Sequence, residues 1–309
     1  MEKLKVAVIG AGRLGGFHTK VYSRLTKHVK LIGVCDCNLE RSLEIGKKFH
    51  TASYSDHEDL FGKVDAVSIA VPTSLHYNMA KDFLNHNIHV LIEKPITKTL
   101  SEADELIDIA KERNLIIQVG HIERFNSAVM AIEPYLVKPK FIECQRLGPF
   151  QKRVEDVGVV LDLMIHDIDI VLGLIKQDVT NIEAVGLSTI SNFEDVANVR
   201  LTFEDGTIAD ITASRVTKDV VRKMRIFQEE SYVSLDYVTQ DAAIFRKTGD
   251  KIIKERIKIK KKEPLKKELK SFIECVRTGK KPIVSGVEGR RALAVALAII
   301  EKINPDAKH

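Results

Sequence analysis

Short apolar runs alternate with amphipathic stretches over the first 120 residues. The predicted strands are residues 6–9, 30–35, 51–54, 65–71, 88–92 and 115–119, and all but the third are mostly apolar. They are rich in β-branched residues and too short for helices, whereas the stretches between them have helical periodicity. Short strands separated by helices are typical of right-handed βαβ units. The pattern therefore predicts a doubly wound, six-stranded parallel sheet that ends near Gly120.

The pattern changes from about Asn181, where longer alternating segments are joined by turn signals. Residues 198–203 and 207–214 flank Glu204-Asp205-Gly206, which is typical of a hairpin. These segments predict a large, open, mostly antiparallel sheet in an α+β domain, with helices over one face and the other face free for a second subunit. We therefore place an N-terminal domain at residues 1–120 and a second domain at residues 121–309.

Composition narrows the class of protein. The chain has 309 residues, 44% of them hydrophobic and 29% charged, which suits two globular domains. The net charge of +5 is concentrated in residues 251–270, but no aromatic residues are interleaved with these lysines, so we expect no nucleic-acid partner. The longest uncharged apolar run, residues 292–300, is too short to span a membrane. The four cysteines lack metal-site spacing, and no signal peptide is evident, so we expect a cytoplasmic protein without a metal.

A glycine turn follows the first predicted strand. Gly10 permits the sharp turn, Gly12 lets a pyrophosphate approach the backbone, and Gly15 lets the following helix pack on the sheet. Arg13 and Leu14 complete the turn, and the helix N-terminus offers N–H groups to phosphates. The alternative is a tight strand–helix turn that binds nothing.

Asp36 follows the second predicted strand, 21 residues after Gly15. A carboxylate there can accept a hydrogen bond from a ribose 2′-hydroxyl and would repel a 2′-phosphate, which favours NAD over NADP. Arg41 could soften that preference.

Polar residues follow the fourth, fifth and sixth predicted strands, where ligands of open α/β sheets bind. They are Pro72 and His76, then Glu93-Lys94-Pro95, then Gly120-His121. Lys94 is restricted by the following proline and could bond a substrate hydroxyl or stabilise an oxyanion. The alternative for Lys94 is an ordinary surface lysine.

Asp162, His166 and Asp169 are spaced to share one face of an α-helix. An acidic residue one turn before a histidine can raise its basicity, and alcohol oxidation needs such a base. A helix-face ion pair and a metal site are the alternatives, although no further metal ligands are evident.

Together these motifs resemble the Gfo/Idh/MocA family of oxidoreductases. The matching motifs are the glycine turn with His18, the Pro72–His76 loop, Glu93-Lys94-Pro95 and the helix with Asp162, His166 and Asp169. The resemblance implies a Rossmann domain, NAD(P)-dependent oxidation or reduction at a sugar or cyclitol hydroxyl carbon, and dimers or tetramers. It implies that Pro72, His76 and Glu93 serve the cofactor, that Lys94 is the active-site lysine, and that His166 accepts the proton with Asp162 as its partner.

The chain departs from the family before that helix. Members often have three glycines where this chain has Asp156-Val157-Gly158-Val159-Val160. Met164 replaces the glycine that usually precedes the histidine.

A narrower resemblance links residues 120–126 and 146–150 to members that oxidise the 3-hydroxyl of UDP-linked N-acetylhexosamines, whose product feeds an aminotransferase. It places Arg124, Asn126 and Arg146 at the substrate, with Lys94 and Asp169. An ion pair of either arginine with Glu123 or Glu143 is the alternative. A free aldose or inositol dehydrogenase and a non-catalytic NAD-sensing regulator remain alternatives for the function.

Overall fold

The computed structural model describes residues 2–151 and 157–305. The helices are α1 (Arg13–Arg24), α2 (Leu39–Phe49), α3 (Thr73–Asn85), α4 (Leu100–Glu112), α5 (Ser127–Ile132), α6 (Ile165–Ile175), α7 (Pro264–Thr278) and α8 (Gly286–Ile303). The strands are β1 (Leu4–Ile9), β2 (Val29–Cys35), β3 (Ala52–Tyr54), β4 (Ala66–Ile69), β5 (His89–Glu93), β6 (Ile117–Gly120), β7 (Phe141–Leu147), β8 (Val179–Leu187), β9 (Val196–Phe203), β10 (Ile208–Ser214), β11 (Val221–Phe227), β12 (Ser231–Asp236), β13 (Asp241–Thr248) and β14 (Lys251–Arg256).

The chain forms two compact units. The first comprises the described residues of Met1–Ile122 and Glu263–Arg290, and the second those of Glu123–Lys262 and Arg291–His309. A division of the chain at residue 120 assigns Glu263–Arg290 to the second domain, but the structure places this segment in the first.

The return of α7 to the first unit has a physical cause. Its apolar side chains, including Leu269 and Phe272, are buried in one core cluster with Val21 and Tyr22 of α1. Spacing at three and four residues gives α7 one apolar face, and that face completes the core beneath α1. The helix begins at Pro264 and ends at Gly279, which adopts the left-handed conformation, as the sequence predicts.

The first unit holds the six-stranded sheet, in the order β3-β2-β1-β4-β5-β6 with every pair parallel. The prediction of a doubly wound parallel sheet is confirmed. Its central strands read as continuous apolar runs because helices cover both faces. The carboxyl ends of β1, β4 and β5 lie at one edge, and the glycine turn, the Pro72 loop and the Glu93-Lys94-Pro95 segment follow them.

The second unit holds an eight-stranded sheet in the order β14-β13-β12-β11-β7-β10-β9-β8. The described strands pair antiparallel except β7 with β10, so the prediction of a mostly antiparallel sheet is confirmed. The sequence pattern missed β7, although this strand lies near the centre. Its buried positions are Ile142, Cys144 and Arg146, and the buried arginine hides the alternation of apolar and polar residues.

The two faces of this sheet differ. One face packs on α6 and the C-terminal part of α8 in the second core cluster. The other carries a stack of aromatic rings from four strands. These rings belong to Phe141, Phe227, Tyr232 and Phe245, and neighbouring rings are 5.7, 5.3 and 4.3 Å apart. Beside them, Arg225 pairs with Glu143 and Arg200 with Asp210 across adjacent strands.

Within the described ranges, none of the helices combines the length and the apolar character that crossing a membrane requires.

Candidate functional site

The fold itself requires two glycines of the predicted cofactor turn. Gly10 has a φ of 99°, and a Cβ there would lie 2.5 Å from the Ala70 carbonyl oxygen. A Cβ at Gly15 would lie 1.7 Å from the Gly10 carbonyl oxygen. Both positions exclude any larger residue because the opposing atoms belong to the backbone.

The fold itself does not require a glycine at position 12. It lies at the N-terminus of α1 with a φ of −69°, which an alanine can adopt, and a Cβ there would meet no atom of the described residues within 4 Å. The first turn of α1 contains no acidic residue, and no side chain caps it. A glycine that the fold does not need, beside an uncapped helix N-terminus, fits the close approach of an anionic group. Arg13 and Leu14 are exposed on the same turn.

Asp36 is held at the end of β2 by backbone donors. Its Oδ2 accepts a hydrogen bond from the Ala11 N–H at 2.7 Å, and its Oδ1 accepts one from the Asn38 N–H at 2.9 Å. The carboxylate thereby joins the glycine turn to β2 and is fixed in orientation. The Cys37 thiol also donates to Oδ1, whereas Oδ2 keeps a second lone pair, so the half-buried side chain can still accept from a ligand hydroxyl.

His76 lies within the protein rather than toward a ligand. Its Nδ1 is 2.8 Å from the Pro95 carbonyl oxygen and its Nε2 is 3.0 Å from the Val71 carbonyl oxygen, with only 1% of the residue exposed. Burial lowers the pKa of His76, against the raising effect of the two carbonyls. The ring therefore joins the loops after β4 and β5, and the expected role of His76 toward the cofactor stays a prediction. Pro72 is exposed at the start of α3.

Glu93 likewise faces a buried histidine. Its Oε1 lies 3.0 Å from Nε2 of His18, and a Cβ at Gly120 would lie 2.8 Å from the Glu93 carboxyl group. Lys94, which is half-buried, thus follows a residue packed against His18 and precedes one that contacts His76. Sequence reasoning noted His18 only as part of the glycine motif and missed that it supports this segment.

The predicted catalytic pair of the second unit lies on two kinds of helix. Asp162 is in a π-helical turn, Val160–Met164, in which the Ile165 N–H donates to the Val160 carbonyl, whereas His166 is in α6. The expected α-helix therefore holds for His166 and Asp169, which lie in α6, whereas Asp162 lies in the π turn, where the angular spacing differs. Asp162 and His166 are both half-buried. Single π-helical turns are frequent at functional sites.

Arg146, predicted to bind substrate, is buried and forms hydrogen bonds within the protein. Only 2% of it is exposed, and its guanidinium forms a double hydrogen bond with Asp167 at 2.7 and 3.0 Å. A further nitrogen donates to Glu123 at 3.2 Å, and the Tyr237 ring lies 5.0 Å away. The alternative ion pair with Glu123 is therefore present, and contact of Arg146 with substrate stays a prediction.

Asn126 also has a structural role. Its Oδ1 accepts from the Ala128 N–H at the start of α5, and its amide donates to Glu123 and to the Tyr237 carbonyl. With 2% exposed, it caps a helix rather than facing substrate.

Arg124 and Asp169 face each other. Their nearest nitrogen and oxygen are 3.5 Å apart, Asp169 is 3% exposed, and a Cβ at Gly173 would overlap the Arg124 guanidinium. Asp169 of α6 thus pairs with Arg124, which lies against that helix at Gly173. The Arg124 side chain remains 13% exposed, so its contact with substrate stays a prediction.

Lys94 lies in the first unit and His166 in the second, so their joint catalytic role stays a prediction. Among residues 2–151 and 157–305, no group of three or more His, Cys, Asp or Glu residues is arranged to hold a metal ion.

Comparison with known proteins matches both domains of the chain to one family. Residues 4–121 match the GFO/IDH/MocA oxidoreductase family, NAD-binding Rossmann fold, and residues 136–233 match the GFO/IDH/MocA C-terminal domain. The scyllo-inositol 2-dehydrogenase (NAD(+)) of Bacillus subtilis is 28% identical over 318 residues, which is 96% of this chain and 93% of that protein.

A second relative is more similar. The UDP-N-acetylglucosamine 3-dehydrogenase of Acidithiobacillus ferrooxidans is 34% identical over 306 residues, 97% of each chain. Its solved structure matches with a TM-score of 0.94 over 99% of both chains. With both domains and the full length accounted for, the chain belongs to the GFO/IDH/MocA family of oxidoreductases that act on CH–OH groups.

Proposed function

We propose that this chain is an NAD-dependent dehydrogenase that oxidises the 3-hydroxyl of a UDP-linked N-acetylhexosamine to the 3-keto sugar. The observation that carries the proposal is the similarity, along 97% of each chain, to a UDP-N-acetylglucosamine 3-dehydrogenase. The chain also retains Lys94, Asp162 and His166, the residues that the chemistry requires.

The first unit has the groups to hold the dinucleotide. The open space at Gly12 and the N-terminus of α1 suit the pyrophosphate, and Asp36 suits the ribose hydroxyls. A 2′-phosphate at Asp36 would meet a carboxylate fixed by two backbone N–H groups, which supports NAD rather than NADP. When bound, NAD supplies the acceptor for the hydride that leaves the sugar carbon.

The chain's own side chains handle the proton and the charge on oxygen. His166 takes the hydroxyl proton as the C–H bond breaks, and Asp162 keeps the imidazole basic. The Lys94 ammonium stabilises the negative charge that develops on the substrate oxygen. Contacts of Glu93 with His18 and of Pro95 with His76 hold the segment that carries Lys94.

We propose further that copies of the chain associate through the open face of the eight-stranded sheet. The aromatic stack on this face, which the helices of the second core do not cover, supports the proposal. The 3-keto product is a suitable acceptor for an aminotransferase, which we propose as the next enzyme.

A second candidate is a free aldose or inositol dehydrogenase. The similarity to a scyllo-inositol 2-dehydrogenase over 96% of the chain favours it, and the same proton and hydride chemistry would apply.

The test follows NADH absorbance with UDP-N-acetylglucosamine, its uronic acid, free glucose and myo-inositol, each with and without an aminotransferase and glutamate. We expect reduction only with a UDP-sugar, and more of it when the keto product is removed. Reduction only with free polyols would replace the first proposal by the second. NAD binding without turnover of any substrate would contradict both and favour the regulator.

The assignment of roles needs matched variants. Lys94→Ala and His166→Asn should lower kcat by roughly 10²- to 10⁴-fold while NAD affinity, measured by calorimetry, stays within about twofold. Turnover equal to that of the unmodified protein in either variant would remove that residue from the mechanism.

A further inference from the structure

The loop between β8 and β9, residues 188–195, ends in two buried acidic residues. Glu194 is 4% exposed and Asp195 is 0% exposed. Buried carboxylates are retained only where donors satisfy them, because unpaired burial is costly. The donors to these two acids connect the loop to the segment that carries Asp162 and His166.

Asp195 closes the loop on itself. Its Oδ2 accepts hydrogen bonds from the N–H groups of Thr189, Ile190 and Ser191 at 2.7, 2.6 and 2.9 Å. Its Oδ1 accepts one from Arg215 Nε at 2.7 Å. Although burial opposes ionisation, these backbone donors and Arg215 hold the pKa of Asp195 well below its ordinary value. The carboxylate is therefore a fixed anchor for the loop.

Glu194 extends this anchor to the entry of the catalytic segment. Its backbone carbonyl accepts from the Val159 N–H at 2.9 Å, and its Oε1 accepts from the Val160 N–H at 3.2 Å. Arg215 adds a hydrogen bond to the Val157 carbonyl at 2.6 Å. Three of the four residues from 157 to 160 are thus held by the loop and Arg215.

Gly158 fits the same arrangement. A Cβ at this position would lie 1.9 Å from Oε1 of Glu194, so the glycine makes room for the carboxylate. The Gly158 carbonyl accepts from the Asp162 N–H at 3.0 Å, which begins the helical hydrogen bonds leading to His166. Asp156, which precedes this stretch, lies outside the described residues.

We propose that Glu194 is a positioning residue for the Asp162–His166 pair. Its carboxylate satisfies an N–H group that would otherwise be orphaned at the start of the π turn, and its charge favours the positive end of the helix. By fixing residues 158–160, it sets where Asp162 and His166 lie relative to the reacting hydroxyl. The inference rests on the proposed role of His166 as the proton acceptor.

The first test compares Glu194→Ala with Glu194→Gln, using the sugar of the panel that is oxidised and holding NAD at saturation. We expect Glu194→Ala to lower kcat by roughly 10- to 100-fold, because small misplacements of a catalytic group cost that much. NAD affinity should stay within about twofold, since the cofactor residues belong to the other unit. Glu194→Gln keeps an oxygen for the Val160 N–H and should recover most of kcat. The exposed Glu204 in the β9–β10 turn gives the control, Glu204→Ala, with unchanged kcat.

A second test asks whether Glu194 and Gly158 act through their contact. Gly158→Ala should lower kcat on its own, but it should add little to Glu194→Ala because the opposing carboxylate is gone. Should Glu194→Ala fail to fold, Glu194→Asp serves instead, since its shorter side chain withdraws from Val160 and keeps the charge. The double variant is then Gly158→Ala with Glu194→Asp.

Two outcomes would overturn the inference: wild-type kcat in Glu194→Ala and Glu194→Asp, or fully additive losses in the double variant. Both are distinct from failure of the proposed function. That failure would show as full activity in His166→Asn, whatever Glu194 does.

Discussion

The glycine turn of the first unit and the arginine cluster of the second are both predicted from the sequence as ligand sites, and the structure shows different surroundings for them. At the turn, a Cβ at Gly12 would meet no described atom within 4 Å, and no side chain caps the N-terminus of α1. In the cluster, Arg146 donates to Asp167 and Glu123, and Asn126 donates to Glu123 and the Tyr237 carbonyl, so both side chains have partners within the protein. A residue type suited to a ligand therefore indicates binding only when the fold does not already use it.

The largest effect that would sharpen this comparison is expected for Gly15→Ala. The new Cβ would lie 1.7 Å from a backbone oxygen, so β1 and α1 would have to move apart. We expect a loss of about 4 kcal/mol or more in the free energy of unfolding, measured with urea, although alanine normally favours a helix. Unchanged stability would mean that the turn is looser than described.

Arg146→Ala should follow, with a loss of about 3–5 kcal/mol, because it leaves Asp167 buried and unpaired. The effect should fall on unfolding and not on KM for the sugar, measured on the protein that remains folded. A raised KM with unchanged stability would break the comparison and return Arg146 to the substrate.

Gly12→Ala should have the opposite signature to Gly15→Ala. Its backbone suits alanine, so the free energy of unfolding should stay the same or rise by up to about 1 kcal/mol. The Kd for NAD, measured by calorimetry, should rise about 30-fold, or about 2 kcal/mol, because the methyl group occupies the space for the pyrophosphate. Unchanged affinity would show that the turn binds nothing.

Asp36→Asn should change the preference for NAD over NADP more than it changes the free energy of unfolding. Removing the charge relieves repulsion of a 2′-phosphate, so the ratio of kcat/KM for NADP to that for NAD should rise about tenfold, or about 1.4 kcal/mol. One of the two backbone donors also loses its acceptor, and the free energy of unfolding of the same variant, measured with urea, reports that loss separately.

The smallest effect is expected on the dependence of stability on pH. Burial lowers the pKa of His89 below its ordinary value, against the opposing charge of Asp65, and its Nδ1 accepts from the Ile116 N–H. The unfolded chain therefore binds a proton that the folded chain does not, and stability falls as pH drops through about 6.5.

His89→Asn, which keeps an acceptor near Nδ1, should reduce this dependence in the first unit and leave the part that His76 contributes. Asp195, whose pKa lies well below the ordinary value, keeps its contribution in the second unit until far lower pH. Hydrogen exchange at pH 7 and pH 5 would resolve the two units. Equal acid sensitivity of both units in the unmodified protein would contradict the prediction.

The structural features that depend on local sequence patterns are the ones that the sequence predicts correctly. The parallel sheet, the hairpin at Glu204-Asp205-Gly206 and the limits of α7 follow from periodicity and turn chemistry. Sequence reasoning missed strand β7 and the burial of Arg146 for one reason: a charged residue buried by partners distant in sequence looks like a surface residue. The π turn at Asp162 depends on packing around residues 158–160, which no local pattern reports.

The return of Glu263–Arg290 to the first unit has a consequence for how the protein is made. The ribosome releases the six strands and α1 early, yet Leu269 and Phe272, which cover α1, emerge only after the whole second sheet has been synthesised. Until these residues are synthesised, an apolar surface of the nascent N-terminal segment stays uncovered, and chains in such a state are prone to aggregate. Stop codons or stalled translation before residue 263 would yield an incomplete first unit, and such fragments should depend on chaperones to remain in solution.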